Sequence, residues 1–191
     1  MKKLAILGST RGTDMQAIID AIETGELEAK IEIVISNKPK AYILERAKKN
    51  NLENICLEKK QNESREDYDD KLIKKISNYK IDLILLIGWM RILSPVFIKN
   101  YQNKIINVHP SLLPKFAGGM DKNVHTEILQ ANETETGCTI HYVDETVDGG
   151  KILLQKKCNI EPNETPETLK TKVQKLEGEA LIESIKIHSL K

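Results

Sequence analysis

Residues 105–114 read Ile-Ile-Asn-Val-His-Pro-Ser-Leu-Leu-Pro and form the most informative stretch of the sequence. Its first residues are apolar and β-branched, as in a buried strand. Alternate side chains of a strand point to the same face, so Asn107 and His109 emerge together. Pro110 has no N–H for a sheet hydrogen bond and ends the strand. The stretch therefore predicts an amide and an imidazole side by side at a strand end, where open α/β sheets bind ligands.

Asn107 and His109 have the chemistry needed for attack on a carbonyl group. The amide can donate a hydrogen bond to an oxygen that gains charge, and the imidazole can give or take a proton near neutral pH. Taken alone, however, the two residues fit a plainer interpretation, which we favour for the pair without further information. In that interpretation Asn107 bonds to local backbone at a strand end and His109 is a satisfied interior histidine.

The sequence before residue 105 alternates strand and helix patterns. Apolar runs predict strands at 4–7, 31–36, 54–57 and 81–87. Helical spacing predicts helices after residue 13, at 41–50, from a capping box at 64–67 and at 95–101. The run 81–87 is the most continuously apolar, which is typical of a central parallel strand covered on both faces. This alternation predicts an α/β fold with a doubly wound, mostly parallel sheet.

The pattern changes after residue 114. A loop with paired glycines is expected at 115–122 and a short helix at 123–131. Strand patterns at 137–143 and 152–160, joined through an acidic glycine turn, predict an antiparallel hairpin added to the sheet. A long helix is expected from residue 165 to the C-terminus. We find no internal repeat and no linker.

Length and composition restrict the class of protein. A chain of 191 residues suits one domain, and 29 Lys and Arg against 28 Asp and Glu leave no basic field for nucleic acid or an anionic membrane. No apolar run reaches membrane-spanning length, and the N-terminus does not resemble a signal peptide. The three cysteines are widely spaced and contain no CxxC pair, which indicates neither disulfides nor zinc. These features predict a cytoplasmic protein that binds neither nucleic acid nor membrane.

The turn after the first strand is a candidate phosphate site. Residues 8–13 read Gly-Ser-Thr-Arg-Gly-Thr, and Thr13 or Asp14 is expected to cap the following helix. A helix N-terminus offers free N–H groups and partial positive charge, so the turn at Gly12 could hold a phosphate. The turn matches neither GxGxxG nor a P-loop. Asp14 would repel a phosphate unless its side chain turned away to cap the helix.

Three further motifs occur in order along the chain: MRILSP at 90–95, NVHPSLLP at 107–114 and VDGG at 147–150. With the Gly12 turn, they resemble the phosphoribosylglycinamide formyltransferase family, folate-dependent enzymes of purine synthesis. The resemblance covers nearly the whole chain. It implies a Rossmann-like formyltransferase fold with a C-terminal hairpin and long helix. Residues 1–110 would form a nucleotide- and phosphate-binding half of the single domain, and 111–191 a folate-binding and closing half.

The resemblance also implies the chemistry and a catalytic set. In this family the amine of glycinamide ribonucleotide attacks the formyl carbon of the cosubstrate 10-formyltetrahydrofolate, and no metal is needed. The catalytic residues would be Asn107, His109 and Asp148. Asp148 would favour protonated His109 and raise its pKa toward the working pH. Without the resemblance, Asp148 would pass for a turn residue before two glycines.

The resemblance extends to binding positions. Ribonucleotide would contact the loop Gly12-Thr13-Asp14 and, on the last helix, Gln174 and Glu177. The positions that would contact the folate are Arg65, Met90, Arg91, Ile92, Leu93, Asn107 and Asp144. The loop departs from the family, since Arg-Gly-Thr-Asp replaces the commoner ending Gly-Ser-Asn. His125 is either a substrate contact or an ordinary helix residue, and we expect His141 to be structural.

Several alternatives remain open at this stage. A related enzyme could hydrolyse formyltetrahydrofolate or formylate another amine with the same three residues. A protein of another class, a non-catalytic nucleotide- or folate-binding module, could use the same fold. The expected partners are small-molecule substrates, and formation of a homodimer is left open.

Overall fold

Seven strands form one sheet in a computed structural model, which describes residues 1–118 and 122–188. The strands are β1 (Lys2–Leu7), β2 (Ala29–Ser36), β3 (Asn54–Cys56), β4 (Leu83–Leu86), β5 (Ile105–His109), β6 (Glu135–Tyr142) and β7 (Ile152–Asn159). The helices are α1 (Thr13–Glu23), α2 (Tyr42–Lys49), α3 (Arg65–Ile76), α4 (Pro95–Asn100), α5 (Lys122–Gln130) and α6 (Pro166–His188).

The sheet has the order β3-β2-β1-β4-β5-β6-β7. Strands β1 to β5 pair in parallel, whereas β6 runs antiparallel to both β5 and β7. The doubly wound, mostly parallel sheet with a C-terminal hairpin and a long last helix is therefore confirmed. Because the chain order reverses at β1 and β4, the carboxyl ends of these strands open a crevice of the kind that binds ligands in α/β proteins.

Alternate residues of the central strands enter two separate apolar layers. Leu4 and Ile6 of β1 pack with one group of helices, whereas Ala5 and Leu7 pack on the opposite face. The period of two in a strand accounts for this division. Helices α1, α2, α5 and α6 cover the first face, and α3 and α4 cover the second. Every residue of β4 is buried, as its continuous apolar sequence predicted.

The observed bounds lie within about two residues of the predicted ones, as expected for element ends. The prediction that Thr13 or Asp14 caps α1 is wrong. Gly12 holds the N-cap position with φ 67°, and no side chain caps this helix. The N-cap of α3 is as predicted, since the amide of Asp67 donates to Ser64 Oγ over 3.0 Å. Of the predicted loop at 115–122, residues 119–121 lie outside the described residues, as do residues 189–191 of the predicted last helix.

Candidate active site

Strand β5 delivers Asn107 and His109 to the same cleft, as its alternation predicts. The cleft opens at the carboxyl ends of β1, β4 and β5 and has a volume of about 580 Å³. That volume falls within the range of small-molecule sites. His109 is 3% exposed, whereas Asn107 is half-buried at the cleft surface. An amide and an imidazole therefore do meet at the strand end.

Both ring nitrogens of His109 face acceptor oxygens. Nε2 donates to the carbonyl oxygen of Phe116 over 3.0 Å, and Nδ1 lies 3.3 Å from Asp148 Oδ2. Burial lowers the pKa of His109 below its ordinary value of 6.5, and the charge of Asp148 and the Phe116 bond oppose this only in part. The expectation of a raised His109 pKa is therefore corrected. Asp148 acts in the expected direction, but desolvation of the ring outweighs it.

Asp148 bridges two histidines from the turn after β6. Its Oδ1 lies 3.6 Å from Nε2 of His141, and its Oδ2 accepts from the amide of Gly118 over 2.9 Å. Burial alone would raise the pKa of this carboxyl, but the two histidines and the Gly118 amide hold it below its ordinary value. Asp148 has φ 53°, a left-handed conformation that aspartate tolerates better than most residues. The turn thus presents a charged carboxylate to His109.

His141 belongs to this cluster, although we expected it to be structural from the sequence. It is 2% exposed and lines the cleft. Its Nδ1 donates to the Tyr142 carbonyl over 2.9 Å, which leaves Nε2 to accept from Asn107 Nδ2 over 3.2 Å. The amide of Asn107 keeps a second N–H for the cleft. The antiparallel register could have revealed this contact, because β6 places His141 directly opposite Asn107.

The turn before α1 forms the other end of the cleft. Gly12 is required there, because its φ is positive and an added Cβ would collide with the side chain of Ile43. The first turn of α1 then presents its free backbone N–H groups beside Thr13, which lines the cleft. This arrangement suits an anion, as predicted from the sequence.

Helix α6 completes this end of the cleft. Lys170, Gln174 and Glu177 lie at helical spacing on one face of α6 and line the cleft. Glu177 is buried and its carboxyl is hydrogen-bonded to that of Asp14. Sequence reasoning singled out Gln174 and Glu177 but missed Lys170. Its spacing of four residues from Gln174 was the available signal.

The segment 90–93 is held in place from two sides of the sheet. The amide of Met90 donates to Ser9 Oγ over 3.0 Å, and the amide of Ser94 donates to the buried Asp69 over 2.5 Å. The guanidinium of Arg91 lies 4.2 Å from the centroid of the Tyr68 ring, a cation–π contact. The segment therefore forms a fixed, partly apolar wall of the cleft.

Most residues singled out from the sequence come together in this one cleft. The lining includes Gly12, Thr13, Asp14, Met90, Arg91, Ile92, Leu93, Asn107, His109, Asp144, Asp148, Gln174 and Glu177. His125, whose role the sequence left open, is buried and also lines it. Arg65 does not belong to the lining among the described residues. It is exposed at the start of α3, and its Nε lies 3.3 Å from Glu66.

Within residues 1–118 and 122–188 no group of three or more His, Cys, Asp or Glu side chains has the arrangement of a metal site. No helix in the same part of the chain is long and apolar enough to cross a membrane.

Comparison with known proteins places this geometry in a family. Residues 2–185 match the formyl transferase family. The chain is 41% identical over 177 residues to a phosphoribosylglycinamide formyltransferase of Haemophilus influenzae, covering 93% of this chain and 82% of that protein. It is 42% identical over 174 residues to a trifunctional purine biosynthetic protein of Drosophila pseudoobscura, covering 90% of this chain and 12% of that protein.

Solved structures agree with the sequence matches. The crystal structure of a phosphoribosylglycinamide formyltransferase from Bacillus halodurans superimposes with a TM-score of 0.91 at 36% identity. The match covers 99% of this chain and 95% of that one.

Proposed function

This chain belongs to the formyl transferase family, and we propose that it transfers a formyl group from 10-formyltetrahydrofolate to the amine of 5'-phosphoribosylglycinamide in purine biosynthesis. Membership rests on the match over residues 2–185 and on relatives named for this activity. The family implies a folate-derived donor, and the specific donor and acceptor are part of the proposal.

The observation that carries the proposal is the cluster of Asn107, His109 and Asp148 in one cleft. Asp148 lies 3.3 Å from His109, and Asn107 donates to His141, which also faces Asp148. A hydrogen-bond donor, an imidazole and a carboxylate are thereby gathered within reach of one small molecule. This is the set needed to stabilise an oxyanion and move a proton.

We infer the following sequence of bonds. The acceptor amine attacks the formyl carbon and forms a carbon–nitrogen bond, while the formyl oxygen gains negative charge. The free N–H of Asn107 stabilises that oxygen, and His109 would reach it through Nε2 in exchange for its bond to the Phe116 carbonyl. The attacking nitrogen then loses a proton, the folate nitrogen gains one, and the bond from the formyl carbon to the folate nitrogen breaks. Asp148 orients His109 and stabilises its protonated form during this transfer.

The two ligands would occupy opposite ends of the cleft. Gly12, Thr13 and Asp14 with the facing side chains of α6 would hold the phosphate and ribose, and Lys170 joins this set because its charge complements a phosphate. Residues 90–93, Asp144 and Arg65 would contact the folate, although Arg65 reaches no part of the described cleft lining. In this assignment residues 1–110 and residues 111–191 both contribute to the phosphate end and to the folate end of the cleft. The division of the domain into two binding halves at residue 110 stays a prediction.

Two broader predictions accompany this function. A cytoplasmic location is supported by relatives that are biosynthetic enzymes, and small-molecule partners by the size of the cleft. Formation of a homodimer stays a prediction, as does the expectation that no metal takes part.

The direct test follows both products of the reaction. Purified protein is mixed with 10-formyltetrahydrofolate, with and without phosphoribosylglycinamide, and deformylated folate and formylated ribonucleotide are both measured. We expect equal amounts of the two products and no deformylation without acceptor. The variant Asp70→Asn, at an exposed position of α3, serves as a matched control for any aspartate variant in the cleft.

The alternative functions give different results in this assay. Deformylation without acceptor would indicate a hydrolase. Turnover only with another amine would indicate a different acceptor. Binding of either ligand with no turnover would indicate a binding module and would contradict the proposal.

A further inference from the structure

Two carboxyl side chains meet at the phosphate end of the cleft. Asp14 comes from the first turn of α1 and Glu177 from the middle of α6, and they are only 8% and 7% exposed. The two carboxyls are hydrogen-bonded to each other. Oδ1 of Asp14 has no hydrogen-bond partner among the described residues, although it is buried and its side chain lines the cleft. A buried, unsatisfied acceptor in a cleft indicates a missing donor, such as a ligand hydroxyl.

A hydrogen bond between two carboxyls requires a proton on one of them. An ionised carboxylate only accepts hydrogen bonds, so two carboxylates cannot bond to each other. Two negative charges on neighbouring buried carboxyls also repel strongly. We infer that Asp14 and Glu177 hold a single proton between them, and that this shared proton allows a phosphorylated ribose to occupy the adjoining loop.

The burial of the pair makes a second negative charge costly. Burial is the dominant effect and raises the pKa of Asp14 to about 7, although the Glu177 bond opposes it. Burial raises the pKa of the Cys138 thiol on β6, and the two carboxyls add to this rise, so the thiol stays neutral. Lys170 on α6, His125 on α5 and Arg11 before α1 line the same cleft.

The shared proton explains how an aspartate can stand next to a phosphate loop. Asp14 lies two residues beyond Gly12, where a full negative charge would repel a phosphate dianion. With one proton, the pair carries one charge fewer and keeps a donor and acceptors for ribose hydroxyls. The inference rests on the proposed function for the identity of the ligand but not for the state of the pair. Loss of the proton above neutral pH should weaken binding by up to about tenfold per pH unit.

The test uses ribose 5-phosphate as the probe, so that it does not depend on formyl transfer. Binding is measured by titration calorimetry between about pH 6.5 and about pH 8.5, in buffers with different ionisation enthalpies, which gives the number of protons taken up. The wild type is compared with Asp14→Asn. Asp20→Asn is the matched control, because it removes the same charge from an exposed position of the same helix. If Asp14→Asn fails to fold, Glu177→Gln is used instead, because it replaces the other carboxyl of the pair with an amide.

We expect the wild type and Asp20→Asn to take up nearly one proton per ligand at the upper pH and to lose affinity as pH rises. The Asp14→Asn or Glu177→Gln protein should take up almost none and show a flat profile. Equal proton uptake in all proteins, or no binding of ribose 5-phosphate to the wild type, would overturn the inference. If proton uptake differed between the wild type and the Asp14 or Glu177 variant but the protein transferred no formyl group, the shared proton would be supported and the proposed function would be refuted.

Discussion

Two aspartates in the same cleft have pKa values that are shifted in opposite directions. Asp148 faces His109, His141 and the Gly118 amide, and its pKa lies below the ordinary value. Asp14 faces Glu177, and its pKa is raised to about 7. Burial acts on both carboxyls in the same direction, toward the neutral form. The difference shows that neighbouring donors decide the charge of a buried carboxyl once burial has made that charge costly.

The opposite pKa shifts also suit the different roles of Asp148 and Asp14 in the cleft. A charged Asp148 supports the imidazole that would move protons, and the cost of burying that charge is offset by the Gly118 amide and the two neighbouring imidazoles. Below its raised pKa, Asp14 is neutral and does not repel a phosphate at the loop before α1. Exchange of the two environments would give a neutral residue beside the reacting atoms and a charge beside the phosphate, which suits neither role. The following predictions test this division, from the largest effect to the smallest.

Asp148→Asn should cause the largest loss of activity. Asparagine tolerates the left-handed backbone at this position and fills similar space, but it has no charge for His109. We expect single-turnover formyl transfer to slow roughly a thousandfold, within the range for loss of a proton-transfer partner. Asp70→Asn should keep the wild-type rate. A slowing of only a few-fold would show that the charge at this end of the cleft is not needed.

His109→Gln should slow single-turnover formyl transfer by roughly a hundredfold or more. It should also remove the fall in rate that the wild type shows at acidic pH. The pKa of His109 is lowered below 6.5, so the ring is neutral at pH 7 and becomes protonated as pH falls through that lowered value. The wild-type rate should therefore decline on the acid side. Because Asp148 raises the pKa of His109, Asp148→Asn should move the remaining decline to still lower pH. If the rate of His109→Gln fell at acidic pH as the wild-type rate does, the fall would belong to a group other than His109.

Asp14→Asn should have a smaller effect, visible in stability. The folded-state pKa of Asp14 is raised above 3.8, so the folded protein binds more protons than the unfolded chain between these pH values. Wild-type stability therefore falls as pH rises from about 4 to about 7, whereas the asparagine variant escapes this loss. The free energy of unfolding of the variant, measured with urea, should gain at least about 1.4 kcal/mol over the wild type across that interval. A constant difference across the interval would contradict the raised pKa.

Much of the fold could be predicted because its signals are local. The run at 81–87 was continuously apolar, and the structure buries every residue of β4 on both faces. The motif at 105–110 likewise fixed a strand, its end and the shared face of Asn107 and His109. The N-cap of α1 was predicted wrongly because Thr13 and Asp14 both have side chains that can cap. The N-cap position is instead held by Gly12, which has no side chain to accept a hydrogen bond from the first turn of the helix.

The site was less predictable, because its contacts join distant parts of the chain. Asn107 and His141 meet through the β5–β6 register, and Asp14 meets Glu177 only because α6 packs on α1. No local pattern records either contact. The sequence showed that a carboxylate at residue 14 conflicts with a phosphate, but it could not show the second carboxyl that resolves the conflict. The direction of the His109 pKa was missed for a similar reason, since burial of the ring depends on the whole cleft.

The central claim is that the two aspartates differ in charge within one cleft, and carboxyl-carbon NMR titration tests it most directly. The side-chain signals of Asp14 and Asp148 are identified by their loss in the variants Asp14→Asn and Asp148→Asn, and each is followed against pH in the wild type. We predict that Asp14 titrates at about 7 and that Asp148 titrates below its ordinary value of 3.8. Titration of both carboxyls together near 4, the value of an ordinary aspartate, would contradict the account.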